Sequence, residues 1–132
     1  VNVFANATRL QTEGDPYADF RGFLPRSVNW GFIVSKGRLS FLTKWNYRGT
    51  QKRSPVPAMG PDAFNYAEPR LQVDVNLEWR LNKRLTTYLN VRNLTAQTQR
   101  ESAYGTETPA YARPYYIGEY NREFIAGIKG SF

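Results

Sequence analysis

The chain has 132 residues, of which 41% are hydrophobic, and a formal net charge of +7. It contains no Cys, which excludes disulfides and thiolate metal sites, and no His, the commonest general base and metal ligand. No apolar run approaches the roughly 18 residues that a membrane helix requires, and the basic residues are scattered along the chain. These properties indicate one domain without the usual catalytic groups.

The N-terminal part of the chain predicts one strand and one long loop. Residues 1–10 alternate loosely, so that Val1, Val3, Ala5 and Ala7 share one face of the strand. Residues 11–26 contain two Gly and two Pro, which favours an irregular connection. The carboxylates in this loop do not have the spacing of a calcium-binding loop, and no metal site is predicted.

A hairpin is predicted next, because residues 27–35 and 38–48 both alternate between apolar and polar side chains. A two-residue turn at Lys36-Gly37 pairs Val34 with Leu39 and Ser35 with Arg38. This pairing keeps the apolar residues of both strands on one face. Residues 49–70 contain four Pro and are predicted as a second long loop.

The strictest pattern in the chain is the eleven-residue segment from Leu71 to Leu81. Its odd-numbered residues are all apolar and its even-numbered residues are all polar, so an extended strand has one apolar and one polar face. A helical period would mix the two sets. The segment is long for a soluble strand and matches the length of a tilted strand that crosses a bilayer. A half-buried strand of a soluble sheet also fits this segment.

Two further strands are predicted over residues 85–93 and 120–132. A three-residue turn, Asn82-Lys83-Arg84, pairs Leu81 with Leu85 and keeps the apolar residues of the two strands on one face. Residues 94–119 are predicted as a third long loop, rich in Tyr. Long and short connections therefore alternate strictly between six strands. This order is typical of outer-membrane barrels, which have short periplasmic turns and long extracellular loops.

Charged residues sort to one face of the predicted strands. Over the last five strands the apolar faces contain no Asp, Glu, Lys or Arg, as expected where one face meets lipid and the other a wet lumen, or where a soluble sheet is half buried. The predicted fold class is all-β, an antiparallel up-and-down transmembrane β-barrel portion of six strands. The predicted lumen-facing or plug-facing residues are Lys44, Arg48, Asp74, Glu78, Arg80 and Arg92.

Four segments resemble, in order and spacing, the C-terminal part of a TonB-dependent outer-membrane receptor. They are FLPRSVNWGF, FLTKWNYRG, LQVDVNLEWRLNKRLTTYLNVRNLT and the terminal REFIAGIKGSF. The resemblance implies that residues 1–132 are a C-terminal fragment of the receptor barrel, with the plug domain, the TonB box and the earlier strands absent. The terminal pattern of Phe124, Ile128 and Phe132 resembles the signal that the barrel-assembly machinery recognises.

The resemblance also implies a function, active uptake of an iron chelate, cobalamin or an oligosaccharide across the outer membrane of a Gram-negative bacterium. The implied partners are the lipid bilayer, the plug domain and remaining strands of the parent chain, the TonB complex, the barrel-assembly machinery and a small-molecule substrate. Neither a cofactor nor nucleic acid is expected, and no residues form a catalytic constellation. The loop side chains expected to capture ligand are Tyr17, Phe20, Tyr66, Tyr104, Tyr111, Arg113, Tyr115 and Tyr116.

Two other interpretations fit parts of the sequence. A soluble, basic, aromatic-rich β module that binds single-stranded nucleic acid would stack bases on aromatics and contact phosphates with Lys and Arg. That function predicts aromatic and basic residues on the same face, whereas the strand aromatics lie mostly opposite the basic residues, with Tyr88 as the exception. A different outer-membrane barrel, such as a porin, is the second alternative.

Overall fold

The computed structural model describes residues 1–11, 13 and 22–130, and these residues form ten β-strands and no α-helix. No helix in this part of the chain is long and apolar enough to cross a membrane. Two single-turn 3₁₀ helices, Pro57–Met59 and Ala110–Ala112, lie in the connections. The strands are β1 (Asn2–Arg9), β2 (Arg26–Lys36), β3 (Leu39–Arg48), β4 (Gln51–Pro55), β5 (Phe64–Ala67), β6 (Arg70–Arg80), β7 (Leu85–Arg92), β8 (Gln99–Tyr104), β9 (Pro114–Gly118) and β10 (Glu123–Gly130).

The strands form two open antiparallel sheets. The large sheet has the order β1-β2-β3-β6-β7-β10, and the small sheet has the order β4-β5-β8-β9. The predicted all-β antiparallel class is confirmed, and the six strands of the large sheet match the six predicted segments closely. The count of six strands is wrong for the chain, because residues predicted as the second and third long loops contain the four strands of the small sheet. Neither sheet closes into a barrel within the described residues.

The turn between β6 and β7 follows the predicted register. Trp79 lies opposite Thr87 and Leu77 opposite Leu89. The Asn82 side-chain oxygen accepts hydrogen bonds from the backbone N–H groups of Arg84 (2.8 Å) and Leu85 (2.9 Å). This short side chain therefore caps the three-residue turn from within.

The turn between β2 and β3 lies one residue later than predicted. Lys36 pairs with Leu39, and Gly37 and Arg38 form the turn. Gly37 has a φ of 60° at the first turn position, where the commonest two-residue hairpin turns require positive φ, so the glycine fixes the turn there. Val34 consequently lies opposite Phe41 instead of Leu39. The apolar side chains of both strands still share one face, as predicted, because the register differs from the predicted one by an even number of residues.

The small sheet continues two hairpins of the large sheet. Arg48 pairs with Arg70 at the end of the β3–β6 ladder, and Gln51 pairs with Ala67 three residues further along each strand, in an unchanged register. The chain from β3 to β6 is therefore one long hairpin with a short break. The β7–β10 hairpin continues in the same direction as β8 and β9.

The described residues bury almost no core. The only hydrophobic residues among them that are buried are Ala63, Val73, Val91 and Ala103, and no large side chain is fully buried. On the apolar face of the large sheet, Trp79 is 57% exposed, Phe124 64% and Ile128 69%. A soluble domain of this length would bury most of its large apolar side chains. Both faces of this single-layer sheet are free of covering elements in the described part of the chain.

Two glycines on the polar face of the large sheet lie under aromatic rings. A Cβ atom at Gly31 would lie 2.6 Å from Cζ of Phe4, and one at Gly127 would lie 2.7 Å from Cζ of Tyr88. Each glycine is the direct cross-strand partner of the ring that covers it. The ring shields the glycine backbone, so a side chain at either position would displace the ring.

Replacing Gly31 with Val is expected to lower the free energy of unfolding by about 1–3 kcal/mol, because the new side chain collides with Phe4 and with the Thr43 carbonyl. Urea unfolding followed by tryptophan fluorescence measures the change. Ala7→Val, on the opposite face of the neighbouring strand, is the control and is expected to change the free energy by less than about 0.5 kcal/mol. Equal stability of both variants would contradict the ring–glycine contact.

Candidate functional site

The small sheet brings two tyrosines from different hairpins into a stack. Tyr66 lies on β5 and Tyr104 on β8, and the two strands pair so that Tyr66 is opposite Ser102 and Phe64 is opposite Tyr104. The two rings are therefore diagonal neighbours on one face of the sheet. Their centroids are 4.4 Å apart with an interplanar angle of 20°. This pair forms the aromatic wall of a cleft.

An arginine and a carboxylate complete the cleft. The guanidinium carbon of Arg113 lies 5.0 Å from the centre of the Tyr104 ring, a cation–π arrangement, and its Nε donates to the carbonyl oxygen of Thr108 at 3.3 Å. The Ser102 hydroxyl donates to the Glu68 carboxylate. The cleft has a volume of about 390 Å³. The residues that line it are Thr50, Tyr66, Glu68, Ser102, Tyr104, Ala110, Arg113 and Pro114.

The chemistry of these groups suits a polar ligand with a flat or ring-shaped part. Burial raises the pKa of the Tyr66 hydroxyl above its usual value of 10.0, and the charges of Tyr104 and Asp62 raise it further. The hydroxyl therefore stays protonated at neutral pH and can donate a hydrogen bond. Arg113 can bind an anionic oxygen and Glu68 can accept hydrogen bonds. The cleft offers both polar groups and an aromatic surface for stacking.

A buried carboxylate holds the small sheet together on the face opposite the cleft. Glu101 is 8% exposed and accepts hydrogen bonds from Arg53, from Asn65 at 2.9 Å and from Gln99 at 3.1 Å. These partners come from β4, β5 and β8, so one charge with three donors ties three strands together. The sequence analysis did not identify this group. The alternation of Gln99, Glu101 and Ala103 along β8 was its only signal.

The tips of the two small-sheet hairpins are joined by Asp62 and Thr106. The Asp62 carboxylate accepts hydrogen bonds from the hydroxyl and from the backbone N–H of Thr106, the latter at 2.8 Å. These two bonds, the side-chain bond first, hold the pKa of Asp62 below its usual value of 3.8. The contact fixes the position of the β8–β9 hairpin, which includes Arg113, relative to Tyr66.

Three of the predicted ligand-capturing residues, Tyr66, Tyr104 and Arg113, meet in the cleft. Tyr111, Tyr115 and Tyr116 lie outside it and are 88%, 62% and 47% exposed. Tyr17 and Phe20 lie outside the described residues. The sequence analysis missed Glu68 and Ser102, although the alternation of Phe64, Tyr66 and Glu68 indicates a strand face that continues to the carboxylate.

The predicted lumen-facing residues share the polar face of the large sheet. Lys44 lies opposite Asp74 and Arg48 lies opposite Arg70. Asp74 accepts hydrogen bonds from Asn46 (3.2 Å), Gln72 (2.9 Å) and the backbone N–H of Asn93 (3.0 Å). The remaining charges of the predicted set are distributed along the same face: Glu78 binds Lys129 at 2.6 Å, Arg92 binds Glu123 at 3.4 Å and Arg80 lies opposite Thr86.

The strand β10 carries two of the three residues of the predicted assembly signal. Phe124 lies opposite Val91 and Ile128 opposite Thr87, so both share the apolar face of the large sheet. Phe132 lies outside the described residues. β10 is an edge strand of the large sheet and pairs with β7 in the described residues.

No protein-family model, curated protein or solved structure matches the chain. Among the described residues, no group of three or more His, Cys, Asp or Glu is arranged to hold a metal ion. Functional inference therefore depends on the two faces of the large sheet and on the cleft of the small sheet.

Asp62→Ala is expected to increase the rate of hydrogen exchange at the Thr106 amide, because that N–H loses its acceptor. In the wild type the protection is complete above pH 3.8 and is lost as the pH falls through the lower pKa of folded Asp62, because the protonated carboxyl is a weaker acceptor. Exchange corrected for the intrinsic rate measures both effects. The neighbouring Glu107→Ala is the control. Equal exchange in all three proteins would contradict the role of Asp62.

Proposed function

We propose that this chain forms part of the wall and the outer loops of an outer-membrane β-barrel receptor that takes up a scarce nutrient with energy from TonB. The observation that carries the proposal is a long antiparallel sheet, one layer thick, in which only Val73 and Val91 are buried among the described apolar side chains. Such a sheet needs an apolar medium on one side and a polar filling on the other. A membrane barrel with a wet or plugged lumen supplies both.

The dimensions of the apolar face support a membrane span. On β2 the side chains from Val28 to Val34 that share this face are all uncharged. The charged residues Arg26 and Lys36 lie at the two ends of this uncharged stretch. The ten residue steps from Arg26 to Lys36 cover about 34 Å along the strand. A strand tilt of about 35–45° reduces this to about 24–28 Å. The result matches the apolar band of a membrane barrel, about 25 Å tall.

Aromatic side chains strengthen this interpretation. On the apolar face Trp30 and Trp45 stack with ring centroids 6.2 Å apart, and Phe32 packs against Trp45 at 5.9 Å. Lys and Arg residues of β3 and β7 lie on the opposite face. A nucleic-acid module would place stacking rings among its basic residues. The separation of rings from charges therefore favours lipid as the partner of this face.

The cleft of the small sheet is the proposed contact for the nutrient. The small sheet extends from the Arg48 end of the large sheet, beyond the charged margin at Arg26. In the proposed orientation it projects from the membrane on the outer side, where long loops capture substrate. Tyr66, Tyr104 and Arg113 combine an aromatic surface with a cation, a combination that suits iron chelates and acidic oligosaccharides.

Single cysteines on both faces of β6 test the membrane span. The sequence contains no native Cys to confuse the labelling. In intact outer membranes, Val75→Cys and Leu77→Cys are expected to react with a lipid-soluble thiol reagent, and Asn76→Cys and Glu78→Cys with a water-soluble one, because successive side chains point to opposite faces. Water labelling at all four positions would contradict the proposal and would make the nucleic-acid module the next candidate.

Uptake by variants of the cleft tests its role. A strain that lacks the receptor is supplied with single sources of iron, cobalamin or oligosaccharide, and the source whose uptake the wild-type gene restores is used for the comparison. Tyr104→Ala and Arg113→Gln are expected to weaken apparent affinity by about tenfold, because stacking and cation–π contacts are lost. Tyr111→Ala, outside the cleft, is the control. If both cleft variants are expressed normally and take up the nutrient as the wild type does, the cleft does not bind the nutrient.

A further inference from the structure

Charged side chains on the apolar face of the large sheet occur only at its margins in the described residues. Arg9 and Arg26 lie at one margin and Lys36 at the other. The row next to the arginines contains Ala7, Val28 and Tyr47, and begins the uncharged band. Arg9 and Arg26 are thus placed where the apolar band ends, at the end from which the small sheet extends.

The two arginines are direct cross-strand partners. Arg9 lies opposite Arg26 in the β1–β2 ladder, and both are exposed. The next residue pair is hydrogen-bonded, from Leu10 N–H to the Pro25 carbonyl at 2.9 Å, so the Arg9–Arg26 pair is of the non-hydrogen-bonded kind, in which side chains lie closer together. Like charges in directly opposite positions destabilise a sheet. A bound anion would remove this repulsion.

Within the described residues, neither arginine of this pair forms a salt bridge. The salt bridges there are formed by Arg53, Arg92 and Lys129. On the β3 side of Arg26 the neighbour is Gly49, whose N–H donates to the Arg26 carbonyl at 2.9 Å. A Cβ atom at Gly49 would lie 3.2 Å from Cβ of Arg26. Gly49, which has no side chain, therefore leaves room for the aliphatic part of the Arg26 side chain beside the uncharged residues of the apolar face.

We propose that Arg9 and Arg26 together bind the phosphate of an anionic lipid headgroup. This inference rests on the proposed membrane span. Guanidinium groups donate paired hydrogen bonds to phosphate oxygens, and arginines at the edge of an apolar band extend their charged ends to the headgroup layer. A lipid is favoured over a soluble anion because its acyl chains cover the adjacent apolar row while its phosphate meets the two charges.

The test measures lipid binding to the full receptor in dodecyl maltoside micelles. Phosphatidylglycerol, phosphatidylcholine and inorganic phosphate are added separately, and bound lipid is counted by native mass spectrometry alongside the melting temperature. The wild type is expected to retain phosphatidylglycerol and to melt at a higher temperature with it. In Arg9→Gln/Arg26→Gln, phosphatidylglycerol binding is expected to weaken by about thirtyfold, since each basic residue near an anionic headgroup contributes about fivefold.

The matched control is Arg48→Gln/Arg70→Gln, which removes two directly paired arginines from the opposite face in the same part of the sheet. This control is expected to retain phosphatidylglycerol as the wild type does. Equal losses in both double variants would overturn the proposal, because they would reflect net charge alone. Equal binding of phosphatidylcholine, or an equal effect of inorganic phosphate, would also overturn the lipid headgroup as the ligand.

Stability without anionic lipid gives a second readout. Since the arginines repel each other when no anion is bound, Arg9→Gln/Arg26→Gln is expected to melt at the same temperature as the wild type or higher in pure detergent. Phosphatidylglycerol should then stabilise the wild type but not the variant. A variant that fails to fold in pure detergent would overturn the proposal. A wild-type receptor that associates with neither micelles nor bilayers would instead refute the membrane span itself.

Discussion

Alternation of apolar and polar side chains along the strands gives the large sheet its two different faces. It gives the large sheet one apolar face and one mostly polar face, and no second layer in the described residues covers either of them. The strands satisfy one another's backbone N–H and C=O groups, which an apolar medium cannot do. The sheet is consequently suited to a boundary between lipid and a polar interior.

The polar face contains two ion pairs between strands in the described residues, Arg92–Glu123 and Lys129–Glu78. Lys129 extends over the Tyr88 ring, at 5.1 Å from its centre, to bind Glu78 on the strand beyond. One contact thus joins β10 to β6 across β7. Paired charges of this kind are tolerated in a wet lumen, where water and neighbouring amides solvate them. The same charges on the apolar face would each cost about 2–4 kcal/mol at the middle of a bilayer.

Asn93 connects the large sheet to the small one. Its φ of 51° lies in the left-handed region, which Asn adopts more readily than most residues. Its side chain donates to the carbonyl oxygens of Tyr120 and Gln97 and accepts from the Gln97 N–H at 2.9 Å. These bonds turn the chain out of β7 and fix it against the approach to β10. They also fix Gln97, just before β8, close to the end of β7.

The six strands of the large sheet, and the face on which each of their side chains lies, could be predicted from the residues alone. Period-two alternation is a local property, and in segments such as Leu71 to Leu81 it is long and free of Pro and Gly. The three-residue turn at Asn82 could also be predicted, because a two-residue turn would place the apolar side chains of the two strands on opposite faces. Short strands such as β5 and β9, next to Pro and Gly, contain too few residues for a clear period.

Contacts between residues that are distant in the chain became evident only from the three-dimensional structure. Tyr66 and Tyr104 stack because β5 pairs with β8, and Arg9 meets Arg26 because the β1–β2 register sets them opposite each other. The position of the turn between β2 and β3 was also not evident from alternation, since either position preserves the apolar face, and the positive φ of Gly37 fixes it. Alternation specifies which face a residue occupies. Strand partners and register specify its neighbours, and they depend on contacts between segments far apart in the chain.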